Sequence, residues 1–308
     1  IKPGGVYLGV GPEQNFTYLI AFKPKIAFIV DIRRQNLLQH MLYKAVVELS
    51  ADRADFMSRL FARPRPAGID TNASADALLT AFESVQADSA LFRRTYDTIR
   101  EQLLIKHGFK LSVDDMATLY HVDSAFYFAG PALNYSFGQR GGFGGGGYGR
   151  NSMPTFAELM RNDDGTGLNR SFIGSEANYR ALKDLQQRNL IVPVVGNFAG
   201  DKALVSVASY LKARNATVSV FYLSNVEQYL FRQGDEWSRF LTNVSKLPID
   251  SSSAFIRSAT NRGGYNVSGG FGGGRGLMTQ LVASIQETVA AFKAGKIMEY
   301  GDVLNLSH

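Results

Sequence analysis

Apolar positions along the chain fall into two kinds of run. Short, nearly unbroken, β-branched runs occur at 5–11 (GVYLGVG), 25–31 (KIAFIVD), 190–196 (LIVPVVG) and 217–223 (TVSVFYL). Runs of that length bounded by turn residues predict buried strands. Other segments space their apolar residues at three and four. Leu38, Met41, Leu42, Ala45 and Leu49 predict a helix over 35–50, and Ala203, Leu204, Val207, Ala208 and Leu211 predict one over 201–214. A further helix is expected over 12–22, with Pro12 suited to its first position. The first fifty residues then read strand, helix, strand, helix. Parallel pairing needs a crossover, and a helix supplies one, so a parallel sheet follows.

The stretch 51–125 contains no strand pattern. Segments 52–62, 74–86, 88–107 and 113–122 all read as helices, with RPRPAG (63–68) and the Asn72/Ser74 capping region as punctuation. After 217–223, helices are expected at 225–232 and 235–246, a weak strand at 253–258, a helix at 277–294 and an edge strand within 296–306. Two glycine tracts interrupt the pattern. Residues 130–149 hold nine glycines, and 263–276 hold eight. The predicted fold is α/β: a Rossmann-like, mostly parallel sheet flanked by helices. Its layout is a first half at 1–50, a helical insertion at 51–128, a glycine-rich loop at 129–152, and a second half at 153–308 carrying a second loop at 261–276.

Composition changes this picture little. Hydrophobic residues make up 45%, enough for a sizeable core, and charged residues only 19%. The formal charge of +6 is mild for a dedicated nucleic-acid binder. Cysteine is absent, so disulfides and thiolate chemistry are excluded. No run of eighteen apolar residues occurs, and no membrane span is expected. The chain begins at Ile1. A preceding segment, a signal peptide included, is compatible with that start; a cytoplasmic setting is favoured, with export of a processed form as the other option.

The chemistry concentrates near the N-terminus. Gly9-Val10-Gly11-Pro12-Glu13-Gln14-Asn15 follows a strand directly. Glycines there let the chain turn sharply and a ligand approach the backbone, and the next helix offers unpaired N–H groups. Asp31 closes the neighbouring strand, twenty residues after Gly11, where a carboxylate can accept ribose hydroxyls. The other reading is that it caps the helix beginning near Arg34. The dinucleotide fingerprint is broken, because Gln14 stands where its third glycine should be. Glu13 also places a carboxylate where a pyrophosphate would sit. A ligand with a sulfonium and an amino-acid moiety suits that turn better.

This arrangement resembles the class I S-adenosylmethionine-dependent methyltransferases, whose first strand ends in a glycine-rich turn and whose second ends in an acid. The resemblance implies that Gly9 and Gly11 line the methionine end of S-adenosylmethionine, that Asp31 holds the ribose, and that Glu13, Asn15 and Arg33 contribute. It further implies that 190–196, ending in Asn197-Phe198, is the fourth strand and lines the transfer site, and that the strand ending Leu223-Ser224-Asn225 is the fifth. Two departures stand out. Tyr7 and Leu8 occupy the place of the usual first-strand acid, and no third strand is visible. The segments VYLGVGPEQN and FIVDIRRQN also resemble those of a group of conserved bacterial proteins, a likeness that attaches no activity.

The remaining candidates are thinner. Arg33, Arg34 and Gln35 could meet an adenine edge or an anionic substrate. The histidines, His40, His107, His121 and His308, are scattered, so a protein-bound metal is not expected. His121, beside Asp123, reads as a packed or capping residue. Ser224-Asn225-x-Glu227 reads as a helix N-cap with its carboxylate at the third position. The function these signs imply is S-adenosylmethionine binding, with methyl transfer to an acceptor the sequence does not name. Two rivals stand beside it. One is a non-catalytic Rossmann-like subunit assembling through glycine–aromatic loops. The other is single-stranded nucleic-acid binding through Arg140, Arg150, Arg262 and Arg275 with Phe143, Tyr148, Tyr265 and Phe271.

Overall fold

The computed structural model describes residues 2–134, 154–259 and 279–307. In chain order its strands are β1 (Val6–Gly9), β2 (Ile26–Asp31), β3 (Ile191–Val195), β4 (Val218–Ser224), β5 (Ile249–Ala259) and β6 (Thr279–Ser284). The α-helices are α1 (Gln14–Phe22), α2 (Arg34–Leu49), α3 (Arg53–Phe61), α4 (Ala75–Glu83), α5 (Ser89–Arg100), α6 (Val113–Ala129), α7 (Phe156–Arg161), α8 (Glu176–Gln187), α9 (Ala203–Lys212), α10 (Val226–Leu230), α11 (Glu236–Val244), α12 (Ile285–Lys293) and α13 (Tyr300–Asn305). A π-helical turn, Glu101–Lys106, extends α5. The chain divides into two compact units. One holds 1–37 and 190–308, the other 38–189.

The first is a sheet unit. Its strand order is β3-β2-β1-β4-β5-β6, parallel throughout except for the antiparallel β6. The protein is therefore the α/β, Rossmann-like fold that the run pattern predicts. Alternation along the strands sends Val6, Leu8, Phe28, Val30, Phe221, Leu223 and Phe255 to one face. There they pack on Leu204, Val207 and Leu211 of α9, Phe240 and Leu241 of α11, and Ile285 of α12. Burying each such side chain contributes about 1.5–3 kcal/mol. Tyr7 and Tyr222 project to the opposite face. Tyr7 bonds Asn15 of α1 there, and Tyr18 of the same helix sets its ring against Tyr222 at 4.9 Å.

Several expectations need correction here. The segment 190–196 is not the fourth strand. It pairs with β2, with Asp31 opposite Val195, and so is the third strand that appeared to be missing. β4 takes the place beside β1. A buried run announces a strand but carries no information on lateral order. The weak strand expected at 253–258 is the longest in the sheet, Ile249–Ala259. The helix expected over 277–294 begins as β6 and becomes helical only at Ile285, where Ser284 accepts the backbone N–H of Glu287. The edge strand expected within 296–306 is instead the short helix α13, whose first turn is closed by Glu299 and Asp302.

The second unit is helical and runs beyond the predicted 51–128, taking in α7 and α8. Its core is aromatic. Tyr43 meets Phe126 at 5.7 Å, Phe61 meets Phe156 at 5.4 Å, and Phe56 meets both Phe172 and Tyr179. Capping side chains start its helices: Asp52, Ser74, Asp88, Ser112, Thr155 and Ser175. Each satisfies N–H groups that the first turn leaves without partners. Arg53 is buried and donates to the carbonyls of Ile173, Thr71 and Ala73, pinning two loops of this unit together.

Candidate functional site

In an open α/β sheet, ligands bind at the carboxyl ends of the strands where the strand order reverses. Here the chain steps outward from β1 to β2 to β3, then returns to lay β4 against β1. The reversal falls beside the glycine turn. Gly11 has φ +79°, a left-handed value that glycine adopts without strain, and a Cβ built on it would meet nothing within 4 Å. On the β4 side the strand ends at Ser224, which holds φ +50°. A non-glycine residue in that region is strained, and such strain gathers at functional sites.

Gly9 answers to a different demand. A Cβ there would lie 2.0 Å from Asn15 Oδ1 and 2.7 Å from the Tyr7 ring. The glycine makes room for the protein's own asparagine. Asn15 Nδ2 donates to the carbonyls of Val10 (3.0 Å), Gly11 (3.1 Å) and Pro12 (2.6 Å), and Oδ1 accepts the Tyr7 hydroxyl at 2.9 Å. Asn15 is fully buried and clamps the turn from inside, rather than facing a ligand. Glu13, the N-terminal neighbour of α1, is also buried, at 1% exposure.

Asp31 ends β2 as expected, and its carboxylate is already engaged. Oδ1 accepts the backbone N–H of Arg33 at 2.9 Å and Arg33 Nε at 3.0 Å, and Oδ2 accepts Arg33 Nη2 at 2.9 Å. Three of the roughly four acceptor positions of a carboxylate are thereby filled. The backbone bond is the local turn that leads into α2. The fork holds the Arg33 guanidinium pKa above its ordinary value, against the opposing pull of partial burial. Beside this pair lie two exposed apolar residues, Ile32 (67%) and Val195 (39%). The backbone N–H of Gly196 closes onto the Asp31 carbonyl at 2.9 Å.

Asn197 and Phe198 follow from the strand-order correction. They follow β3, which lies next to β2, and not the strand beside the glycine turn. Phe198 turns into the core, its ring 5.3 Å from Phe221 and 5.8 Å from Phe240. It therefore does not face a substrate. Asn197 Oδ1 accepts the N–H of Ala199, and its Nδ2 donates to Glu236.

The capping role expected of Glu227 is likewise replaced. Asn225 is the N-cap of α10 and makes no side-chain cap. Glu227 is buried and forks with Arg257 of β5 at 2.7 and 3.2 Å. Arg257 was not foreseen, because its partner lies thirty residues away. Tyr229, also unforeseen, stands on α10 close enough to Arg33 to act on its charge.

Residues 135–153 and 261–276, with Arg140, Arg150, Arg262 and Arg275, lie outside the described residues, as does His308. Among the described residues no group of three or more His, Asp or Glu side chains is placed to hold a metal ion. No described helix is long and apolar enough to cross a membrane.

Fold and strand-end geometry together define a Rossmann-like α/β protein whose strand order reverses at β1, between β2 and β4. The family model described as "Domain of unknown function (DUF7790)" matches residues 2–129 and 150–300, and the chain belongs to that family. No curated protein matches the sequence.

Proposed function

We propose that the sheet unit binds an adenosine-containing small molecule at the carboxyl ends of β1 and β2. S-adenosylmethionine is the form that the motif resemblance names, and methyl transfer is the activity that comes with it. One observation carries the reading: strand order reverses beside a glycine turn whose outer side is open at Gly11, with Asp31 ending the adjacent strand. Gly11 would let the ligand approach the backbone. The remaining acceptor position on Asp31 Oδ2 would take a ribose hydroxyl. Ile32 and Val195 would give the flat face of the base an apolar shelf. S-adenosylmethionine, when bound, supplies an electrophilic methyl group, and this chain would contribute binding and orientation.

A second reading, a non-catalytic member of the fold, draws support from Asn15 and Phe198. Both are spent on the interior. Calorimetry with S-adenosylmethionine and its demethylated product separates the two. Binding weakened at least tenfold by Asp31→Ala supports the ligand reading. No heat at millimolar ligand removes it and leaves the second.

A further inference from the structure

We infer that Arg33, held in place by Asp31, is a charged group this edge presents to its ligand, and that the bound nucleoside carries a phosphate on a ribose hydroxyl. The inference rests on the adenosine reading and does not depend on methyl transfer. Its basis is the division of labour within the fork. Asp31 is only 5% exposed and receives three bonds, all from Arg33. Arg33 is 47% exposed and spends only Nε and one side of its guanidinium on Asp31. A guanidinium has five N–H donors in a rigid plane. Nη1 and the second hydrogen of Nη2 therefore remain for a ligand, pointing away from the carboxylate that fixes them.

Electrostatics decides the ligand class. The pair is neutral overall, with its carboxylate buried and its guanidinium half-exposed, so the end it turns to solvent is the cationic one. Glu13, the acid that argued against an anion at this turn, is buried at 1% exposure. Tyr229 adds a phenol, not a carboxylate, from the β4 side. Asp31 retains one acceptor position, enough for one ribose hydroxyl and not for two. The other hydroxyl then falls toward Arg33, and the group a planar, oriented guanidinium binds best there is a phosphate ester. Asp31 acts on this ligand chiefly as a positioning residue.

The test is calorimetry of the full chain at low salt with adenosine, adenosine 5′-phosphate, adenosine 2′-phosphate, adenosine 3′-phosphate and S-adenosylmethionine. The expected result is that the 2′- or the 3′-phosphate binds at least tenfold tighter than adenosine or the 5′-phosphate. Raising salt should erode that margin. Arg33→Gln should abolish that margin, whatever it does to adenosine itself once Asp31 is released, and Arg33→Lys should keep only part of it, because charge survives and the fork does not. Binding of adenosine or S-adenosylmethionine without a phosphate preference, or a preference that survives Arg33→Gln, overturns this inference alone. No binding of any of the five overturns it together with the adenosine reading.

Discussion

Each unit buries carboxylates, and two of them, Glu227 and Asp123, are neutralised in opposite ways. In the sheet unit Glu227, 1% exposed, is forked by Arg257, which is fully buried. Arg257 Nη1 also donates to the Val303 carbonyl and Ser307 Oγ, so the guanidinium ties β5 to α10 and to α13. In the helical unit Asp123 of α6 is also 1% exposed, and its Oδ2 has no hydrogen-bond partner. Burial pushes its pKa up to about 8, from an ordinary 3.8. Asp123 is thus a neutral acid at pH 7. A buried charge needs a partner or a proton. Burial pushes both carboxyl pKa values up, but Glu227 is held by a partner and Asp123 by a proton, so the two should respond oppositely to mutation.

The largest effect should come from breaking the pair. Arg257→Met leaves Glu227 buried without its counter-charge, at a cost of about 3–5 kcal/mol. The double variant Arg257→Met/Glu227→Leu should lose far less, since removing both charges of a buried pair is often close to neutral. Urea-unfolding midpoints of the two variants measure the difference. Equal losses would mean that the fork is not an ion pair.

Asp123 comes next, with the opposite sign. Its folded-state pKa lies above the unfolded one, so the folded form binds the extra proton. Stability contributed by that proton is complete below about pH 4 and is lost progressively as the pH rises through about 8. Asp123→Asn cannot ionise. Its stability relative to the native chain should therefore be flat below pH 4 and climb by a few kcal/mol toward pH 8. Thermal melts at a series of pH values read this directly. A native-minus-variant difference independent of pH would show that folding leaves the Asp123 pKa where it is in the unfolded chain.

This contrast marks the boundary of what the sequence made legible. The strands at 5–11, 25–31, 190–196 and 217–223 could be read because a buried strand writes an unbroken apolar run. The helices could be read because one face repeats at three and four. Strand order could not be read, since LIVPVVG looks the same in the third place as in the fourth. β6 was hidden because Thr279–Ser284 runs straight into α12, and the pair reads as one amphipathic segment. At the site, Gly11 and Asp31 were found by their distance along the chain. The partners that decide their chemistry were not. Asn15 looked like a ligand contact because nothing local says that three carbonyls and a tyrosine hydroxyl surround it. Arg257 and Glu227 meet only once β4 and β5 are paired, and Asp123 is unusual only for what does not reach it.

Glu48 offers the smallest effect and the sharpest check, because the helical unit treats this acid in the manner of the sheet unit. It lies on α2, buried, where desolvation alone would raise its pKa. Bonds from Lys44 Nζ (2.6 Å), His107 Nε2 (2.6 Å) and Gln102 Nε2 (2.8 Å) outweigh that, and the pKa falls below its ordinary 4.5. Gln102 comes from the π-helical turn and His107 caps it, so the carboxylate anchors this turn to α2. A lowered folded-state pKa gives stability that is present above about pH 4.5 and disappears as the pH drops through the folded value. Glu48→Gln keeps the shape and discards the charge. It should cost about 1–2 kcal/mol at pH 7, and the loss should shrink as the pH falls toward 3. Hydrogen exchange at His107 and Phe109, whose N–H groups close the turn onto Gln102 and Leu103, should speed up in the variant at neutral pH. Asp123→Asn and Glu48→Gln would then bend the same unit's stability in opposite directions, the first between about pH 4 and 8 and the second below about pH 4.5. If both curves bend the same way, the difference between an acid kept by a proton and an acid kept by its donors does not hold in this fold.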